Sequence, residues 1–510
     1  MASVVDINSH LLHGQFARIG GGLPLSHVDF GEFAQDLFGN FRRLHEQHGP
    51  IAAIEDGGQQ VVFLFSPEYN QQVLSDNERY HARFFTIRGP RRSAQRRLTG
   101  GLLSMNGDQH KRNRRMVKEP FGLRAIGTYG EAIQRLTDDL LATWQPGNVV
   151  DMNEEMRQYM LRVTSTLLFG LDDPESACRL GDMIHRWIEM NNEVGVGALV
   201  PSERFSEGYE EMLNYAEVLE AEVLDMIRKK RDSREQGSDV LSILVRMHDA
   251  EGGLSDEELV GQASVLFTAA HMTTAHSLTW TLFLLAQHPS VMRRLAEELN
   301  SSVGGRPNGD SPKSLGSMPK GDDLSLLDRV VKESMRVLPA SAYSQRINTV
   351  PVQLGPFNLP RGTGIVFTPL VTHHLADLYP EPEKFLPDRW LDLRPSPYAY
   401  HPFGAGPRMC IGAPLATATI RIALQRILTR CRLSVIPGSD ISAHVESTML
   451  FPTNGVPMQI HAADGNYHSS PVTGNIRELV ELDEVHTRFD RVTAKGFKTH
   501  RPLAPRRKPR

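Results

Sequence analysis

Phe403-Gly404-Ala405-Gly406-Pro407-Arg408-Met409-Cys410-Ile411-Gly412-Ala413-Pro414-Leu415-Ala416 decides how the rest of the chain is read. It sets one cysteine, Cys410, in a glycine-rich loop that runs into an apolar, alanine-rich helical pattern (Leu415, Ala416, Ala418, Ile420, Ile422, Leu424). Gly404, Gly406 and Gly412 remove side chains where a backbone turns tightly or approaches something flat and large. Pro414 suits the first turn of the helix. Cys410 therefore lies just before a helix N-terminus, where unpaired amide N–H groups and the helix dipole favour a thiolate. By itself the loop also fits an inert cysteine between glycines and prolines.

A thiolate held in such a loop suits the axial position of haem iron. The pattern resembles the haem-ligand loop of the cytochrome P450 family, F-x-x-G-x-R-x-C-x-G, with Phe403, Gly406, Arg408, Cys410 and Gly412 at all five fixed positions. The resemblance implies that Cys410 is the proximal iron ligand of haem b and that Arg408 meets a haem propionate, with Gly404 beside them in the cofactor loop. It implies a mainly α fold with a small β subdomain: a triangular helical prism with a long central oxygen-binding helix and the haem-binding cysteine loop.

The composition excludes several other classes. The 510 residues are 40% hydrophobic and 23% charged, ordinary for a soluble globular protein. With 56 basic and 60 acidic residues the formal charge is −4, so no global charge points to nucleic acid. Cys178, Cys410 and Cys431 form no disulfide framework and fit a reducing compartment. Residues 1–51 carry no long apolar run, which predicts neither signal peptide nor transmembrane anchor and a cytoplasmic enzyme.

Four further stretches extend the likeness. His110 and Arg114 lie four apart on one helix face; elsewhere such pairs are mostly surface residues, but the resemblance makes both propionate contacts, with Lys111, Arg112 and Arg115 adding basic charge for an acidic electron donor. Ser255 to Glu258 is a capping box, and the helix it opens is expected to end before Pro289. Its centre, Ala269-Ala270-His271-Met272-Thr273-Thr274, resembles the family's oxygen-binding signature A-G-x-(D/E)-T-T. Ala269 and Ala270 would then line the haem. Thr273 would hold and relay protons, or simply bond its own i−4 carbonyl. Met272 stands where a carboxylate is usual; His276 and Ser277 share Thr273's face, and His276, or water it orders, is the expected substitute, unless it is simply a core or surface histidine. Glu333 and Arg336 form E-x-x-R, either an exposed pair or, with Arg389 of Pro382-x-x-Phe385-x-Pro387-x-Arg389-Trp390, a buried structural triad. Arg346 occupies the place of another propionate-binding arginine.

Smaller elements are expected around these. A helix is read over Phe33 to Glu46, strands flank Asp56-Gly57-Gly58, and a helix opens at Ser66-Pro67. Residues 80–106, rich in arginine, are either a solvated basic loop or the cover of the substrate space. Asn191 to Gly197 should break a helix pair that lids it. Phe267, Ala340 to Tyr343 and Met449 to Phe451 are expected to line it. Leu433 to Ile460 reads as strands, the haem domain as residues 1–462, and residues 463–510 as an extension with one amphipathic helix, Asn475 to Phe489, and a basic disordered tail, Arg501 to Arg510.

The function implied is insertion of one oxygen atom from O2 into an apolar small molecule, by hydroxylation or epoxidation. The enzyme would act on paired donors, with electrons from a separate ferredoxin or flavodoxin and its reductase. Fatty acid, terpene, sterol and polyketide substrates remain open. Two alternatives stand beside it: a haem-thiolate enzyme that uses peroxide or rearranges its substrate, and a non-enzymatic haem sensor.

Overall fold

Ser255 starts the longest helix as a capping box should. Its Oγ accepts from the Glu258 amide (3.2 Å), and the Glu258 carboxylate accepts from the Ser255 amide (2.9 Å). The helix runs Asp256–Gln287 and stops at His288, before Pro289. At ~1.5 Å rise per residue its 32 residues extend about 48 Å. Leu259 to Phe267 and Thr274 to Gln287 are all buried, so this helix is packed on every side except in its middle. The structure is a computed structural model, and it describes residues 19–82, 87–171, 174–197, 203–232, 237–249, 254–304 and 324–483.

The other helices are arranged about this one. Met152–Phe169 lies alongside it, Ala413–Arg430 packs between it and Leu123–Thr143, and Leu326–Val337 closes a further side. Pro174–Gly197 and Glu203–Asp232 form an antiparallel pair over one end. A smaller β region sits apart, with its own core. Its six-stranded sheet has the spatial order Leu25–His27, Ile51–Asp56, Gln59–Leu64, Gly364–Phe367, Ser344–Asn348, Tyr80–Ala82. The protein is therefore mainly α with a small β region. Among the described residues no helix is long and apolar enough to cross a membrane.

Several expected boundaries move. The first helix divides into Phe30–Gln35 and Leu37–His48, because Asp36 caps the second by accepting from the Gly39 amide (3.0 Å). The expected break at Asn191 to Gly197 is helix instead: Val194 is buried against Ile87, Met190 and Met212, and that burial outweighs the poor propensity of Asn and Gly. The body does not end at 462. Val472, Ile476, Leu479, Val480 and Leu482 join the main core, and the Glu481 amide donates to Glu383 O (2.8 Å). The amphipathic helix expected over Asn475 to Phe489 is one short helix, Ile476–Leu479; its remainder beyond 483 and the basic tail lie outside the described residues.

Candidate active site

The cysteine loop is held by its backbone. The Cys410 amide donates to Phe403 O (2.8 Å), the Met409 amide to Gly406 O (3.0 Å) and the Gly404 amide to His401 O (2.9 Å). Gly406 has φ +70°, and a Cβ there would come within 2.1 Å of Leu74 O, so only glycine closes this turn. Gly412 precedes the helix Ala413–Arg430. Burial pushes the Cys410 thiol up; the Gly412 amide, Arg114 and the Ala413 amide pull it back only in part. The thiolate expected from helix position alone is thus opposed by desolvation. Cys410 is surrounded by protein yet keeps accessible surface, so its thiol opens on interior space.

Around it gather cationic groups without anions. Arg408 donates to Met105 O (2.8 Å), Leu103 O (3.0 Å) and Asn106 Oδ1 (3.2 Å). Arg114 donates to Met409 O, and Arg346 to Gln345 O (2.8 Å). All these acceptors are neutral, and among the described residues none of the three arginines meets a carboxylate. Burial, then the Arg408 charge, lowers Arg346 to about 9; burial, then Arg114, lowers Arg408 to about 10. His110 is buried with Nδ1 unpartnered and is lowered to about 4 by burial and by Arg408, Arg114 and Arg346. Buried charges persist only when paired. The set therefore fits a group that brings two acidic arms to the arginines and a metal cation to the sulfur, which an iron porphyrin with two propionates does.

The central helix shows its open strip here. Ala269 is exposed and Thr268, Ala270, Met272 and Thr273 are half-buried, in the middle of a helix buried toward both ends. Thr273 Oγ1 donates to Ala269 O (3.0 Å). His276 does not join it. Its ring is fully buried, stacks on Phe451 at 5.5 Å, leaves Nδ1 unpartnered and is lowered to about 3 by burial, then by His271 and His444. Ser277 does reach Thr273, donating to its carbonyl (2.9 Å). Phe267, expected to line the substrate space, is core, stacked on Phe169 at 5.3 Å.

Glu333 is saturated. It accepts from Arg336 Nε (3.0 Å) and Nη2 (2.9 Å), Arg389 Nε (2.9 Å), Trp390 Nε1 (3.0 Å) and the Leu386 amide (2.9 Å). Arg336 also donates to the carbonyls of His373, Pro382 and Lys384. Of the triad's two further donors, Trp390 is a letter of the motif and the Leu386 amide sits at an unspecified position that the motif does not mark. The basic surface drawn from Lys111, Arg112 and Arg115 is largely cancelled: Lys111 pairs with Glu78 (2.9 Å) and Arg112 with Glu258 (3.0 Å). Sequence reasoning missed a buried network in which Gln262 accepts from the Leu102 amide (3.1 Å) and donates to Asn113 Oδ1 (3.2 Å), while Asn113 donates to Glu258 (2.8 Å). Its one signal was an amide amid the apolar run of the central helix.

The family model described as Cytochrome P450 matches residues 24–460. Cyclooctatin synthase of Streptomyces melanosporofaciens is 30% identical over 444 residues, covering 84% of this chain and 92% of that protein. Pentalenene oxygenase of Streptomyces avermitilis is 29% identical over 415 residues, 79% of this chain and 89% of that one. Cyclooctat-9-en-7-ol 5-monooxygenase of S. melanosporofaciens is 29% identical over 407 residues, 77% and 84%. Among solved structures, a retinoic acid-bound cyanobacterial cytochrome P450 superposes with TM-score 0.71 at 24% identity, over 86% of this chain and 100% of that one. The haem domain of cytochrome P450DA gives 0.72 at 21%, over 86% and 97%. The fold, the cysteine loop and the family match converge, and the chain belongs to the cytochrome P450 family, as an oxidoreductase of its monooxygenase kind.

Proposed function

We propose that this chain inserts one oxygen atom from O2 into an apolar small molecule. In this reading Cys410 ligates the iron of haem b through its thiolate, and Arg408, Arg114, Arg346 and His110 hold the propionates. When bound, the haem-thiolate supplies O2 activation. The chain's own residues position and protonate. Thr273 offers a hydroxyl on the one open strip of a buried helix, and Ala269 and Ala270 keep that strip small enough for a flat group and a substrate. Glu333, Arg336 and Arg389 brace the fold behind the loop. The observation that carries the reading is the set of arginines without carboxylates beside an accessible interior cysteine. Pentalenene oxygenase and cyclooctat-9-en-7-ol 5-monooxygenase are named for oxygenating an -ene and an -en-ol, which favours an apolar, unsaturated carbon skeleton here too.

The chain has three cysteines, and Cys431 is buried and bonds Ile427 O (3.3 Å), so a four-cysteine cluster beside Cys410 is excluded. A separate ferredoxin or flavodoxin with its reductase, in the cytoplasm, is the expected donor. A spin-shift screen of cyclic hydrocarbons and alcohols, followed by product analysis with ferredoxin, reductase and NAD(P)H, tests the reading. Product formed only with peroxide would favour the second reading, to which Met272 at the usual acid position and the sealed His276 both point.

A further inference from the structure

Asn106 stands just before the helix Gly107–Val117, where an asparagine normally turns its side chain onto the first helix amides. It makes no such bond here. Its carboxamide reaches back to the strand Tyr80–Ala82 instead. Oδ1 accepts from the Ala82 amide (2.8 Å), and Nδ2 donates to Ala82 O (3.1 Å). This reciprocal pair decides which way round the carboxamide sits, because its oxygen must face the N–H and its nitrogen the carbonyl. The same Oδ1 also accepts from Arg408 Nη1 (3.2 Å).

Three elements meet at this side chain. Arg408 comes from the cysteine loop. Ala82 stands opposite Arg346 in the antiparallel pairing of Tyr80–Ala82 with Ser344–Asn348. The helix that Asn106 starts carries His110, whose amide donates to Asn106 O (3.2 Å), and Arg114. The four groups assigned above to the propionates thus lie on three separate segments, and Asn106 bonds to each segment.

Its charge matters as much as its shape. Arg408 donates to Leu102 O (3.4 Å), Leu103 O (3.0 Å), Met105 O (2.8 Å) and Asn106 Oδ1, and Asn106 supplies the one side chain in that set. A carboxylate has nearly the same shape, but at this place it would pair with Arg408 and could not donate to Ala82 O. Neutral groups also tie this carbonyl cradle to the central helix. Gln262 accepts from the Leu102 amide and donates to Asn113, and the carboxylate at the far end of the network, Glu258, already meets Arg112. Gly101 lies so close to the central helix that a Cβ would meet Gly261 O at 2.2 Å, so the cradle has no slack on that side.

We propose that Asn106 is a positioning residue for the cofactor: it fixes the spacing between Arg408, Arg346 and the helix of His110 and Arg114, and its neutrality leaves the Arg408 charge to a propionate. This rests on the haem reading above and adds the residue that joins its cationic groups. The test uses the haem-loaded full chain as wild type, Asn106→Asp, Asn106→Ala and Gln109→Glu, the last placing the same charge on the exposed face of the same helix. Two quantities are read: the rate at which haem passes to apomyoglobin and the midpoint potential of the iron. Asn106→Asp should lose haem about tenfold faster and show a more negative potential. Asn106→Ala should lose haem about threefold faster with the wild-type potential, and Gln109→Glu should match the wild type in both. Wild-type rates in Asn106→Asp, or equal changes in Asn106→Asp and Asn106→Ala, overturn the proposal, as does a Gln109→Glu variant that behaves like Asn106→Asp. If Asn106→Asp does not fold, Asn106→Ala decides: haem lost no faster than from the wild type overturns the proposal while the haem reading stands. A wild type that takes up no haem overturns both.

Discussion

Two groups of arginines in this molecule look alike in sequence and differ in what surrounds them. Arg336 and Arg389 close on Glu333, whose oxygens take five donors, and every remaining guanidinium donor of Arg336 finds a carbonyl. Arg408, Arg114 and Arg346 find only carbonyls and an amide oxygen; beyond burial, Arg408 lowers the proton affinity of Arg346, and Arg114 that of Arg408. The first group is electrically complete within the chain. The second is complete only with an anion from outside. The difference separates charges satisfied within the fold from charges that, in the proposed function, would hold a ligand, a distinction that residue type alone does not draw.

The largest effect should come from breaking the complete group. Glu333→Ala strands two guanidiniums in a fully buried site, which costs about 3–5 kcal/mol. Little folded, haem-bound protein is expected in soluble extracts. A well-folded variant with normal haem content would erase the contrast between the two groups.

Breaking the incomplete group should act on the cofactor and spare the fold. Arg346→Leu removes a buried charge with no acidic partner, so the haem-free chain should be no less stable, while haem affinity falls about tenfold or more. Haem affinity in Arg346→Leu equal to that of the wild type would contradict the unpaired-charge account.

The buried histidines give a smaller, acid-side effect. Burial, the first cause in each, lowers His271 and His401 to about 4 and His276 to about 3. Each stays neutral in the fold while the unfolded chain takes up a proton below ~6.5. Their contribution is fully present above that pH and is lost as pH falls toward 4. His276→Phe, which keeps a ring against Phe451, should lessen the loss between about pH 6.5 and 5 by about 2 kcal/mol. Thermal melts at the two pH values read this directly.

The smallest expected change concerns coupling. Thr273→Ala should lower product per NAD(P)H consumed, whereas His276→Phe should leave it unchanged, because His276 is sealed from the open strip that carries Thr273. A coupling loss in His276→Phe as large as that in Thr273→Ala would restore the histidine to a proton path.

The sequence carried the cysteine loop, the capping box and the triad in full, because each is a local pattern whose spacing fixes its geometry. It failed where tertiary packing decides. Asn191 to Gly197 looked like a helix break, but Val194 is buried. Residues past 462 looked like an appendage, but Ile476 and Leu479 fill the core. His276 shares Thr273's helical face in projection, yet Phe451, brought in by a distant hairpin, takes its ring. Lys111 and Arg112 read as a free basic surface because Glu78 and Glu258 are far away in the chain. Each failure is a contact between segments that no local pattern announces.

The central claim is that an iron porphyrin completes the unpaired arginines with Cys410 as its thiolate ligand. The most direct measurement is the absorption spectrum of the reduced, CO-bound protein, wild type beside Cys410→Ala. A thiolate-type CO band in the wild type and none in a folded Cys410→Ala variant is the predicted result. A wild type without that band, or a Cys410→Ala variant that keeps it, would contradict the account.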